Sequence, residues 1–409
     1  MKNTIYYLFF LEPYTFIFFQ KKEKVIYNTL NSAYICCPKH QEIDKIIRKL
    51  NDPKNGYCIR ISEKVVKDPT VNFFINQVRD TFSGDLIKEK TGQKKPYIFK
   101  PMLFFNYTPE KLTKKNITIF GERILQNLNE VTFFLENRCE QRCKECERYY
   151  KQTLHCSYFH ENNNLTNEDY VKIIKQLDAN GVGRLNLIGG NWIKNESLIT
   201  IFADSCMKKT FYQHYSMLSS FSVDLLANDS FELIVLVHPG FDKKSLLDNM
   251  LLFGTKNVVW KFIVSSSKDV FEINNLTLPE HIHIDIVPYF TRYNLDFFKE
   301  NVFLELKDIL ELPVNKQTIF RREVLNENFF GKLFITPSGN VYANMNQAPL
   351  GNILTRPLKE LVYNELYNSS AWLKVRDQEP CVHCVNKLLC PSISNYELVI
   401  DLPNLCHIR

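Results

Sequence analysis

The stretch Glu130-Val-Thr-Phe-Phe-Leu-Glu-Asn-Arg-Cys139-Glu-Gln-Arg-Cys143-Lys-Glu-Cys146 decides how the chain is read. Its first half, Val131–Leu135, is a short run of branched and aromatic residues with the composition of a buried strand. Its second half spaces three cysteines as C-x3-C-x2-C. A strand that runs straight into a thiol-bearing loop puts the thiols at its carboxyl end, where parallel α/β sheets carry their chemistry.

Residues 130–290 continue the pattern. Apolar runs Val131–Leu135, Arg184–Ile188, His214–Leu218, Glu232–Val237, Val258–Val264 and His283–Val287 predict six strands, and helical patterns such as Asn167–Leu177 and Lys244–Phe253 lie between them. Repeated strand–helix units need right-handed crossovers and give a parallel sheet, so the expected class is α/β, a partial (β/α)6 barrel.

The flanks differ. Residues 1–129 hold 22 Lys and Arg against 12 Asp and Glu, whereas the remainder holds 29 against 33, which marks a separate basic unit. Its hairpin (Tyr14–Phe19, Val25–Tyr27), helix (Gln41–Leu50), strand (Tyr57–Ile61) and helix (Pro69–Phe82) follow the order of a small winged-helix-like domain. From Thr291 the pattern turns irregular: a helix near Leu304–Leu310, strands Lys332–Thr336 and Val341–Ala343, a helix near Leu358–Tyr367, then more cysteines. Three units are expected: 1–129, 130–312 and 313–409.

Composition bounds the function. With 409 residues, 45% apolar and 23% charged, the chain is globular, which excludes disordered and collagenous classes. The longest apolar stretch, Ile5–Phe19, is interrupted by Glu12 and Pro13 and lacks a cleavage signal, so the expected location is the cytoplasm, with no membrane partner. The basic residues are scattered, as at Lys21–Lys24 and Lys111–Lys115, without interleaved aromatics, so nucleic acid is not an expected partner. Twelve cysteines in a reducing compartment point to metal or redox chemistry rather than disulfides. Seven fall in two sets; Cys36, Cys37, Cys58, Cys156 and Cys206 are ungrouped and read as packing residues.

Cys139, Cys143 and Cys146 can wrap one face of an iron–sulfur cube but supply only three of its four ligands. A zinc site completed by His155, His160 or Cys156 is the other reading, although zinc favours paired C-x2-C hooks. At the end of the second strand, Leu187-Ile-Gly-Gly-Asn191 lets backbone approach a ligand closely at Gly189 and Gly190. The second set, Cys381, Cys384, Cys390 and Cys406, offers four thiols as C-x2-C-x5-C-x15-C, which suits a closed zinc ribbon and an iron–sulfur cluster equally.

Together these motifs resemble the radical SAM superfamily. The spacing of the first set and the Gly-Gly at the second strand are its marks, and the resemblance implies a 4Fe-4S cluster on Cys139, Cys143 and Cys146 whose open iron chelates S-adenosylmethionine (SAM), with Gly189, Gly190 and Asn191 as cofactor-binding residues. Two positions depart from it. Asn191 stands where the family has an acid and cannot pair with the methionyl ammonium by charge, and Glu145 stands where an aromatic is usual. Leu333-Phe-Ile-Thr-Pro-Ser-Gly-Asn-Val-Tyr342, Leu350-Gly-Asn-Ile353 and the second set look like the SPASM extension of radical SAM peptide-modifying enzymes. That implies an auxiliary 4Fe-4S cluster on Cys381, Cys384, Cys390 and Cys406. Ala343–Asn344 and Ser394 replace ligands of an inner auxiliary cluster, which is therefore not expected.

Phe133-Phe-Leu, Gly189-Gly-Asn, Gly331-Lys-Leu and Leu389-Cys-Pro-Ser-Ile-Ser-Asn-Tyr-Glu397 further resemble pseudo-radical-SAM/SPASM proteins of double-glycine-leader natural-product systems in Bacteroidales. The resemblance implies maturation of a ribosomally synthesised (RiPP) precursor peptide by 5'-deoxyadenosyl-radical hydrogen abstraction. Its alternative is a catalytically silent scaffold that presents the peptide to a paralogous active maturase. The basic N-terminal unit would bind the peptide by strand addition.

Overall fold

The computed structural model describes residues 5–20, 23–102, 124–136, 139, 143, 146–157, 159, 164–190, 195–222, 226, 230–254, 257–278, 281–368 and 370–408. Asn191, Glu145, His160, Lys21–Lys22 and Lys111–Lys115 lie outside the described residues.

Among the described residues the N-terminal unit holds six strands: β1 (Tyr6–Leu11), β2 (Thr15–Gln20), β3 (Glu23–Asn28), β4 (Tyr34–Cys36), β5 (Cys58–Ser62) and β6 (Gly84–Lys88). They form two antiparallel sheets, β5-β1-β6 and β2-β3-β4. The expected hairpin, strand and two helices are present, the helices spanning Gln41–Asn51 and Pro69–Asp80. Ile43, Ile46, Ile47 and Leu50 recur at helical spacing and are fully buried or nearly so, against Phe9, Ile59 and Phe74. Strands β1, β4 and β6 are additions to the sequence reading. The β2-β3 hairpin packs Phe16, Phe18 and Val25 on Val385 and Leu389 of the C-terminal region, and Val314 N–H donates to Tyr27 Oη at 3.0 Å.

Strands β7 (Glu130–Phe134), β8 (Arg184–Ile188), β9 (Lys208–His214), β10 (Phe231–Val237), β11 (Val258–Val264) and β12 (His283–Pro288) run parallel and lie in sequence order. The third differs from expectation: His214 ends β9, and Tyr215–Ser220 is a 3-10 turn rather than strand. Its polar start, Lys208-Lys209-Thr210, hides it. Lys209 is nevertheless buried, because its ammonium donates to the Ser205 carbonyl at 2.5 Å and lies over the Phe231 ring. On the other side of β7 the sheet continues through β13 (Lys332–Ile335), parallel to it, then antiparallel β14 (Asn340–Tyr342) and β15 (Gly351–Asn352). The result is one nine-stranded, mostly parallel α/β sheet.

Period-two alternation gives the two faces of this sheet different partners. Phe133, Leu185, Leu187, Phe211, Leu233, Val235, Trp260 and Phe262 meet the helices, including Asn167–Ala179 and Lys243–Leu252, in the main core. Each fully buried side chain of this size contributes about 1.5–3 kcal/mol. On the opposite face, Phe134, Ile188, Tyr212, Ile234 and Leu236 are covered by the chain that follows the first cysteine set: Tyr150, Leu154, Cys156 and Phe159.

Candidate metal centre at the strand ends

The first cysteine loop leaves the end of β7, and the neighbouring β8 ends in Gly189-Gly190. Cys139 rests directly on Gly190. A Cβ on that glycine would lie 2.6 Å from both Cys139 Cβ and Sγ, so the bare Cα is what lets the two loops meet. The Gly190 carbonyl accepts from Gln213 Nε2 at 3.1 Å, a buried bond that ties this turn to β9.

The three thiols feel one another. Burial, followed by the charges of Cys146 and Cys139, pushes the Cys143 thiol up to about 11. Cys146 Sγ lies 3.7 Å from the Cys156 carbonyl, and the Cys156 thiol is driven well above its ordinary value, first by its bond to Cys146, then by burial and the charges of all three cysteines. Without a cation the site holds its protons; a metal ion or cluster offsets the mutual repulsion of thiolates and releases them. This donor set therefore fits the iron–sulfur group expected from the spacing. Cys156 was read from sequence as a packing residue, and the structure places it buried beside the set.

The sequence reading missed the histidines that face these thiols. His214 closes β9 and His238 directly follows β10. One ring nitrogen of each and the Cys143 Sγ all lie within 4.8 Å of one another. His155 does not complete the cysteine set: its Nδ1 donates to the Cys156 carbonyl at 2.8 Å, and its Nε2 is 2.7 Å from His238 Nε2. Tyr149 stacks on His155 at 4.5 Å and packs tilted against Tyr289 at 4.3 Å. Burial pulls His155 and His214 down to about 4 and, with help from its neighbours' charges, His238 down to about 2. A cavity of about 570 Å³ opens here, lined by Cys143, Tyr149, His214, His238 and Tyr289 among others. The only signal in the sequence was His238 following the expected strand Glu232–Val237, since His214 was placed at the start of the third strand.

The second cysteine set converges as well. Cys381, Cys384, Cys390 and Cys406 line one small apolar cavity with Ile309, Arg376 and Leu405. Burial raises the Cys381, Cys384 and Cys390 thiols, Cys390 to about 11, and the charges of Cys381 and Cys406 act on their neighbours in the set. Arg376 stands beside them, 4.0 Å from Cys381 Sγ, and pairs at 2.6 Å with Glu397. Four thiols about a shared space, with a guanidinium balancing them, fit a closed metal site. Ser394 caps the helix Asn395–Ile400 through a reciprocal bond with Glu397, and Asn344 donates to Asn395 at 2.7 Å. Both positions that lack an inner-cluster cysteine thus carry hydrogen bonds of their own.

Gly189 and Gly190 stand at the strand end where a cofactor was expected, while Asn191 is outside the described residues. No described helix is long and apolar enough to cross a membrane.

No family model matches the chain, and no curated protein matches it. Among solved structures it is similar to the coproporphyrinogen III oxidase HemN of Escherichia coli, described as a radical SAM enzyme. The identity is 13% and the TM-score 0.32, over 69% of this chain and 83% of that one.

Proposed function

We propose that the chain is a radical SAM-like iron–sulfur protein that acts in the maturation of a ribosomally synthesised peptide. The observation that carries this reading is the contact between Cys139, on a three-cysteine loop after the first parallel strand, and Gly190, in the Gly-Gly turn after the second. Cys139, Cys143 and Cys146 would hold a 4Fe-4S cluster, and Cys381, Cys384, Cys390 and Cys406 an auxiliary one. A reduced cluster with bound SAM supplies one-electron chemistry able to take hydrogen from an unactivated C–H bond.

The protein's part is position and shielding. Gly190 gives Cys139 its place against β8, Gln213 fixes that turn, and Tyr149 packs against Tyr289 beside the cavity. The edges of the sheets β5-β1-β6 and β2-β3-β4, unpaired with another strand among the described residues, offer a peptide main-chain partners, and the basic balance of the unit suits an acidic leader.

The second reading, a silent scaffold that presents the peptide to an active maturase, is favoured by one observation. Much of the sheet face opposite the helices is packed against the chain's own residues from Tyr149 to Ser157, which narrows the space for a substrate there. Anaerobic reconstitution, reduction and incubation with SAM separate the two. Formation of 5'-deoxyadenosine supports the enzyme, and intact clusters without it support the scaffold. Colourless protein carrying zinc and no iron refutes both.

A further inference from the structure

We propose that the imidazoles of His214 and His238 are ligands of the metal centre to which Cys143 belongs. From the reading above, the inference takes only that Cys143 binds metal. Among the described residues these three form the one group of metal-binding side chains whose ligand atoms lie within 4.8 Å of one another. Tetrahedral ligation of one ion brings sulfur and nitrogen donors to about 3.5 Å, whereas the corners of a cubane hold them further apart. The observed spacing is within a side-chain rotation of either.

The hydrogen bonds around the His238 ring select one of its nitrogens. A carbonyl oxygen only accepts, so the proton of a neutral His155 sits on Nδ1, facing the Cys156 carbonyl. His155 Nε2 is then the acceptor at 2.7 Å, and His238 Nε2 must carry the hydrogen between them. That leaves the lone pair of His238 Nδ1 for another partner. On His214, Nδ1 is held by Ser216, accepting from its backbone N–H at 3.3 Å with Oγ at 2.7 Å, so ligation through Nε2 requires the ring proton to move to Nδ1, where Ser216 Oγ can accept it. Ligating histidines are characteristically held in this manner, with the second nitrogen bonded to a fixed acceptor. Stacking reinforces it: His238 packs on Tyr149 at 4.8 Å and on His214 at 5.0 Å.

The consequence bears on catalysis. An iron corner that chelates the amine and carboxylate of SAM has two positions to give, and two imidazoles already beside Cys143 can take both. A ligand held in the fold competes at an effective concentration that a diffusing one does not reach. The centre would then be closed, and the scaffold reading follows.

The test uses the full chain, reconstituted with iron and sulfide, reduced without SAM, and labelled with 15N-histidine. Electron–nuclear double resonance should show 15N strongly coupled to a cluster, and the coupling should be lost in a His214→Ala/His238→Ala variant that in turn gains SAM binding by equilibrium dialysis. The labelled unsubstituted protein decides the point even if that variant fails to fold. A cluster on Cys139, Cys143 and Cys146 without nitrogen coupling overturns this inference and leaves the radical SAM-like reading standing. A single ion without sulfide, with imidazole scattering in its X-ray absorption, upholds the histidine ligands and overturns the cluster.

Discussion

Cys139 lies on Gly190 so closely that a single methyl group there would sit 2.6 Å from the thiol sulfur. The contact joins the loop after β7 to the turn after β8, and no flexible side chain end is available to yield: the atoms in the way are Cys139 Sγ, Cβ and Cα. If Cys139, Cys143 and Cys146 hold a cluster as proposed, Gly190→Ala should move Cys139 off its position and remove about one cluster's worth of iron per chain while leaving any metal on the C-terminal set. Overpacking of this kind costs about 1–3 kcal/mol, which a tightly packed sheet of this size tolerates. Iron and sulfide content read against the melting midpoint checks it; full iron in a folded G190A variant would show that Cys139 is not a ligand.

Arg376 and Glu397 form a second such pair, buried beside four thiols, with side chains 8% and 4% exposed. Removing one partner of a buried ion pair leaves the other uncompensated and costs about 3–5 kcal/mol. Arg376→Met should lower amide protection across residues 376–406 by an amount of this order, and adding Glu397→Gln should return part of it by removing the stranded charge. If the thiols carry a cluster, the lost guanidinium should also make that cluster harder to reduce, a shift readable by redox titration.

Replacing Cys390 tests the closed site itself. Binding energy at a site of four ligands is also folding energy, so Cys390→Ala should lower the melting temperature of the metal-loaded protein and leave the metal-free protein nearly unchanged. Equal melting loss in both forms would assign Cys390 to packing.

Much of this was legible because hydrophobic period and cysteine spacing are local signals. Five of the six strands β7–β12 and the helix Gln41–Asn51 could be read directly, and the spacing of both cysteine sets stood out. β9 was misplaced because Lys209 is buried through contacts with Ser205 and Phe231, partners that are set by the fold and not by neighbouring sequence. The strand β1 escaped because its partners, β5 and β6, follow it by more than forty residues. His214 and His238 were invisible for the same reason, while His155 was read only as a candidate zinc ligand. His155, His214 and His238 are strangers in sequence, and only the winding of the sheet brings them under one loop.

Those histidines give the chain a pH dependence whose sign can be worked out. In the unfolded chain each takes up a proton near 6.5, while in the folded, metal-free protein burial delays this to about 4 for His155 and His214 and about 2 for His238. Between those values the unfolded state binds more protons, so stability falls as pH drops through 6.5 and goes on falling toward 4. Above 6.5 the three rings contribute no slope. Metal-free protein should therefore lose thermal stability on acidification from pH 7 to 5, and a His155→Gln/His238→Gln variant should lose less over the same range. Melting curves at half-unit pH steps measure both slopes. An identical slope in the variant would place the acid sensitivity elsewhere in the chain.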